Sequence, residues 1–196
     1  MPRPRSCSDA DILAAVGAAL SERGASGLTL ADIGRRVRLS PAALLQRFGS
    51  KKKLLLAFAQ DAADRAAKPL RDAREQVTSL LWALQQGLRA MSSQPNGIAA
   101  LRQAPGDDQL ALAVARYTRT VRDEIDTILR DAVQSGELLP CDTRSLAEAT
   151  HALWIGAVLN ARLLDPGQDP VQGAERALSV LLLPYRRPVF MPPTGA

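Results

Sequence analysis

Apolar residues recur along this chain at intervals of three and four, the spacing that lines one face of an α-helix. Ile12, Leu13, Val16 and Leu20 form a first stripe, Leu30, Ile33 and Val37 a second, and Leu44 and Phe48 a third. Strict alternation, the mark of a half-buried strand, is absent. Ala, Leu, Arg and Gln dominate while β-branched and aromatic residues are sparse, so propensity favours helix as well. The fold class read from this pattern is all-α.

Capping residues cut the stripes into elements. Ser8 precedes a helix from Asp9 to about Arg23, with Asp9 and Asp11 at the positive pole of its dipole and Gly24 as its stop. Thr29 opens a short second helix. Ser40 followed by Pro41 opens a third that ends at Gly49, the proline standing where its missing N–H costs nothing. Ser50 opens a fourth, running to about Ala67, and Pro69 marks a break. Further helices are expected over about 71–91, 97–103, 107–135, 143–164 and 170–183. The stretches "SQPNG", "APGDD", "SGELLPCD" and "DPGQDP" separate them. The proline-rich tail "PYRRPVFMPPTGA" is expected to be mobile.

Charge changes the picture. Residues 1–60 hold ten Lys or Arg and four acids, a net of +6, whereas the rest of the chain nets −1. All of the positive excess lies in the first third, which points to a polyanion as its partner: nucleic acid or an anionic membrane surface. Three of the four lysines, Lys51, Lys52 and Lys53, fall in the first turn of the fourth helix, where the dipole mildly opposes them. No apolar run is long enough to span a bilayer, and no signal-peptide pattern follows "MPRPRSCSDA". Cys7 and Cys141 are too few for a disulfide framework or a zinc site. A soluble, cytoplasmic protein is the expectation.

Two short helices joined by a tight turn over residues 29–48, the second opened by a polar cap, describe a helix-turn-helix. In that motif the second helix enters the major groove. The stretch "LTLADIGRRVRLSPAALLQRFGSKKKLLLAF" resembles the DNA-binding domain of the TetR family of transcriptional regulators. The likeness covers about residues 9–60; the remainder matches only in length and helix order. It implies a three-helix DNA-binding domain with a short N-terminal arm over 1–60, a helical ligand-binding and dimerisation domain over 61–185, and the tail over 186–196. It further implies a homodimer on a palindromic double-stranded operator, most often a repressor. A small, mostly apolar effector would release the DNA by moving the fourth helix. No cofactor or membrane partner is implied. A non-specific basic DNA-binding protein would leave the motif spacing and the neutral two-thirds unexplained. An all-helical enzyme would lack any recognisable catalytic set.

Residue by residue, Lys51 matches the family's phosphate-contacting lysine, and Lys52 is either a second contact or a solvated surface charge. Thr29 caps its helix and can also meet a phosphate. Ser40, Pro41, Ala42, Ala43, Leu45 and Gln46 occupy the opening and middle of the third helix. There Gln can bond adenine bidentately, while Ala and Leu pack on thymine methyls or sugars. Arg47 is assigned to phosphate, with guanine as the lesser option. Three residues depart from the family pattern: Leu45 replaces a common aromatic, Arg38 a turn glycine, and Gly34 an alanine.

In the remainder, Trp82, Gln85, Leu88 and Met91 fall on adjoining faces of one helix, as do Tyr117 and Val121 on another. His151, Trp154, Ile155 and Val158 make a third group. An apolar site with a few polar groups suits an effector pocket, and the same spacing equally suits a plain core. With no Cys or carboxylate at ligand spacing, His151 reads as a hydrogen-bonded interior or ligand-contacting residue rather than a metal ligand. Gly156, Leu159, Asn160, Leu163, Ala177, Leu178 and Leu181 suit a close-packed helix pair meeting its symmetry mate, or else internal packing.

Overall fold

A computed structural model describes residues 7–93, 97–101, 107–164 and 169–187, the side chains of residues 93, 99, 161–164 and 170 excepted. The elements are α1 (Asp9–Gly27), α2 (Leu30–Val37), α3 (Pro41–Phe48), α4 (Lys51–Arg65), α5 (Lys68–Gln76), α6 (Leu80–Ser93), α7 (Ile98–Leu101), α8 (Asp108–Ser135), α9 (Thr143–Leu164) and α10 (Pro170–Leu182). A 3₁₀ turn, Leu183–Tyr185, closes the described chain, and Leu138 and Arg186 form an isolated antiparallel bridge. The Arg3–Arg5 arm, the end of the helix expected at 97–103, and residues 188–196 of the tail lie outside the described residues.

Most boundaries follow the caps. Ser8 and Thr29 each form a capping box, with Asp11 and Asp32 returning a carboxylate to the cap's own N–H. Gly24 leaves the helical conformation at φ 69°, and one further helical stretch carries α1 to Gly27. A single helix over 71–91 is a reading the structure corrects. The chain is extended at Val77 (φ −134°, ψ 153°), and α6 starts afresh at Leu80. The Glu137 carboxylate accepts from the N–H groups of Leu80 (2.8 Å) and Leu81 (3.3 Å), and from the Ser79 hydroxyl (2.8 Å). Ser79 also caps the helix locally, its hydroxyl accepting from the Trp82 N–H at 3.3 Å, so one local and one distant group share the freed backbone N–H groups.

The described residues fall into two compact units. The first joins residues up to Ala66 with Ser93–Thr120; the second joins Ala67–Ser92 with residues from Val121 onward. Residues 93–120 thus return to the first unit. There α1 packs on α2, α4 and α7, and α3 packs on α2 and α4. Ile12, Val16, Leu20, Leu28, Ile33, Leu44 and Leu54 are fully buried, and Ile98 and Leu101 of α7 are buried too. Gly97 lets that return happen. A Cβ on it would lie 2.6 Å from the Leu20 Cβ and 2.8 Å from the Gly17 carbonyl oxygen, too close for any other residue.

In the second unit α9 packs on α10. Arg71 reaches Glu124 (2.9 Å) and Arg74 pairs with Asp131, while Arg89 bonds Glu175 at 2.6 Å. The Trp154 indole donates to the Ser92 hydroxyl at 2.7 Å, which donates in turn to the Leu88 carbonyl at 3.1 Å. No described helix is long and apolar enough to cross a membrane.

Candidate nucleic-acid interface

The turn between α2 and α3 is built from two unusual positions. Arg38 sits in the left-handed conformation (φ 57°, ψ 39°), and its N–H donates to the Gly34 carbonyl. The Leu39 N–H donates to the same carbonyl at 3.0 Å. A Cβ on Gly34 would lie 2.3 Å from the Leu39 carbonyl oxygen, so the glycine makes room for the turn. The two departures from the family pattern are therefore coupled. The turn keeps its left-handed residue without a glycine at Arg38, a strain of roughly 1 kcal/mol, and closes over Gly34.

From that turn α3 emerges with Ser40 as its cap, the hydroxyl accepting from the Ala43 N–H at 3.1 Å. Only Leu44 is buried in this helix (1 % exposed), and it anchors α3 to the unit. Ser40, Pro41, Ala42, Leu45, Gln46 and Arg47 are exposed, and Ala43 is half-buried. Leu45, 42 % exposed, is a large apolar side chain left in water.

Most of the cations nearby are already engaged. Arg47 pairs with Asp9, and its guanidinium also donates to the Cys7 carbonyl at 2.7 Å. Lys52 pairs with Asp107 at 3.2 Å. Arg35 and Arg23 both reach Asp32, the latter at 3.5 Å, around an open depression of about 290 Å³ that Arg36 also lines. Arg36 itself pairs with Glu22. The half-buried Lys51 donates to the carbonyls of Leu28 and, at 3.5 Å, Ala25, both at the C-terminal end of α1. That explains a lysine at the unfavourable end of α4. It meets backbone carbonyls of the stretch that follows the Gly24 break while standing at the positive pole of its own helix.

The carboxylates are held in their charged form. The Thr29 hydroxyl bonded to Asp32 is the largest influence on that group; burial opposes it. The Thr29 N–H, Arg23 and Arg35 add to the hydroxyl, and the carboxyl lies below its usual range. For Asp107 burial is the largest influence and works against the charge. The Lys52 ammonium and the N–H groups of Leu110 and Gln109 outweigh it and lower the pKa. Asp107 is also the cap of α8, its Oδ1 accepting from Gln109 (3.1 Å) and Leu110 (3.4 Å).

Two family models match. One, described as bacterial regulatory proteins of the TetR family, covers residues 12–58; the other, a tetracycline-repressor-like C-terminal domain, covers residues 105–178. The chain belongs to the TetR family. Solved structures of transcriptional regulators share its fold. A regulator from Haloarcula marismortui is 21% identical over 91% of this chain and 98% of its own, with a TM-score of 0.74. A regulator from Cytophaga hutchinsonii is 16% identical over 92% and 95%, with a TM-score of 0.77. FadR from Bacillus subtilis, solved in complex with stearoyl-CoA, is 18% identical over 87% and 96%, with a TM-score of 0.68. No curated protein matches the sequence. As a TetR-family member the protein is a DNA-binding transcriptional regulator of a ligand-responsive family.

The TetR-family second unit holds most of the expected effector residues. Leu88, Val121, His151 and Trp154 are buried there, and Gln85, Met91, Ile155 and Val158 half-buried. Tyr117 is buried in the first unit. Trp82 is 49 % exposed, at the surface of its unit. The Arg122 guanidinium donates to His151 Nδ1 at 3.4 Å. Asp126 Oδ1 and Thr150 Oγ1 are buried and make no hydrogen bond within the structure, a polar feature that spacing alone did not single out.

Of the expected interface residues, Leu159 (54 % exposed) and Asn160 are exposed, and Gly156, Ala177 and Leu181 half-buried. The Leu163 side chain lies outside the described residues. Leu178 is 3 % exposed and packs inside its own unit. Val180 (70 %) and Leu183 (66 %) are exposed instead. The run "ALSVLLL" is apolar except at Ser179, so periodicity could not choose between its leucine and valine faces.

Proposed function

We propose that the protein is a cytoplasmic, homodimeric repressor that grips a palindromic operator and is released by a small, mostly apolar effector. The observation that carries the DNA-reading half is α3 itself. One buried leucine anchors a helix whose other faces are left to solvent beside a row of ordered cations. Pro41, Ala42, Ala43, Leu45 and Gln46 read base edges, Gln46 by hydrogen bonds and Leu45 by apolar contact. Ser40 and Thr29 add hydroxyls at the backbone; Arg47, Lys51 and Lys52 meet phosphates. An ammonium has three protons, and Lys51 directs two at carbonyls, leaving one for phosphate.

Dimerisation is supported by Leu159 and Val180, large apolar side chains exposed on α9 and α10, and by Leu183 just beyond. Gly156 and Gly173 have open space where a Cβ would stand, leaving room for another helix to approach closely. Leu159, Asn160, Ala177 and Leu181 complete the proposed face. The effector site belongs to the second unit, among Leu88, His151, Trp154 and their neighbours. Its binding alters the spacing of the two recognition helices. A coupling of about 1–3 kcal/mol gives a 5- to 150-fold change in DNA affinity.

The test is selection from a randomised duplex library at roughly 50 and 200 mM salt, where several phosphate contacts make affinity fall steeply. Enrichment of one palindrome is the expected result. Salt-sensitive retention with no enriched sequence would reduce the protein to a non-specific DNA binder and overturn the repressor reading.

A further inference from the structure

The cations that the DNA-reading half needs are already paired, and two of the carboxylates holding them come from outside the helix-turn-helix. Asp9, in the first turn of α1, takes Arg47 of α3. Asp107, the cap of α8, takes Lys52 of α4 at 3.2 Å. Both cations stay accessible, with Arg47 39% and Lys52 65% exposed at the side chain, so an incoming anion can reach them.

We propose that Asp9 and Asp107 set the protein's absolute affinity for DNA by occupying Arg47 and Lys52 in the free protein as stand-ins for phosphate. Each cation must exchange a carboxylate for a phosphate oxygen when DNA binds, so part of the Coulombic gain is cancelled. The exchange draws on no base contact, so it weakens every duplex by the same factor and leaves the preference among sequences untouched. Its use is reversibility, because a complex held less tightly at the backbone is easier to release.

The inference rests on the reading of α3 and the start of α4 as the DNA-contacting surface, and the variants separate the two ideas. Asp107→Asn keeps an oxygen for the Gln109 and Leu110 N–H groups, since asparagine caps a helix as well as aspartate does. Only the charge is lost. Asp9→Asn is equally mild, because the capping box of α1 uses Asp11 instead. Exposed ion pairs couple by at most about 1 kcal/mol, so each variant is expected to bind a labelled mixed-sequence duplex about two- to fivefold more tightly. The gain should narrow as salt rises, because the internal pair is itself screened.

The deciding arms repeat each change in the absence of its cation. In a Lys52→Gln background Asp107→Asn should give no gain, and likewise Asp9→Asn in Arg47→Gln. If the gain persists there, the carboxylates act only as diffuse negative charge and the proposal falls. If Arg47→Gln and Lys52→Gln weaken binding while the asparagine variants leave it unchanged or weaker, the DNA surface stands and the stand-in role is overturned. If neither glutamine variant alters binding, the reading of that surface fails and the inference goes with it.

Discussion

The α3 surface and the outer face of α9 and α10 are both left exposed, yet they are finished in opposite ways. Around α3 exposed Leu45 and Gln46 stand among cations, and Arg47, Lys52, Arg35 and Arg36 are each matched to a carboxylate of the same unit. On α9, α10 and the turn that follows, Leu159, Val180 and Leu183 stand in water with no such match. A surface meant for a transient, wet, charged partner can be neutralised internally and remain soluble alone. An apolar surface has no internal substitute for water, which is why Leu159, Val180 and Leu183 enter the proposed dimer face.

The sharpest way to break this comparison is at the anchor of α3. Leu44→Ala should cost about 2–5 kcal/mol of stability and abolish DNA binding. Oligomeric state, measured by sedimentation, should survive, because the change lies in the first unit. Parallel loss of both would show that the two faces do not fold independently.

Next in size is Gly34→Ala, which drives a methyl into the Leu39 carbonyl and should cost about 1–3 kcal/mol in a urea melt. The reverse change at the same turn, Arg38→Gly, should stabilise by roughly 1 kcal/mol by relieving the left-handed arginine. A loss on Arg38→Gly would mean that the arginine side chain contributes more than its backbone costs.

Leu159→Asp with Val180→Asp addresses the other face. Both residues are exposed, so the chain's own stability should move by less than about 0.5 kcal/mol per site. The dimer should dissociate on sedimentation. An unchanged assembly would remove this face from the interface.

The smallest expected effect is on acid stability. Asp11, Asp32, Asp107 and Asp142 are each held below the ordinary carboxylate value of 3.8. A group depressed in the folded state contributes fully above its unfolded pKa and loses that contribution as pH falls through the folded one. Thermal midpoints should therefore be flat in these groups above about pH 5 and decline below 3.8. A decline already visible near neutrality would point to other groups.

How far the sequence could be read differs between the same two regions. Around α3 the relevant signals are local: Ser8, Thr29, Ser40 and Ser50 satisfy N–H groups within three residues, so the cap fixes the helix start wherever the chain goes. The helix-turn-helix was legible for that reason. The break before α6 was missed although Ser79 caps Trp82 there, because that lone serine sits between apolar stretches that read as one helix, and Glu137, more than fifty residues away, takes the Leu80 and Leu81 N–H groups. Likewise the site cations were legible by count, while their partners Asp9 and Asp107 were not.

Composition, charge placement and short-range capping thus determined by themselves that the chain is all-α, where its first four helices begin, and which end of it meets a polyanion. These depend on interactions within one helical turn. Tertiary structure alone decided that Gly97 brings α7 onto α1, that Leu178 faces inward while Val180 faces out, and that Lys51 joins α4 to the end of α1. Each of those depends on groups far apart in sequence, and an apolar or charged residue carries no local mark of which distant surface will meet it.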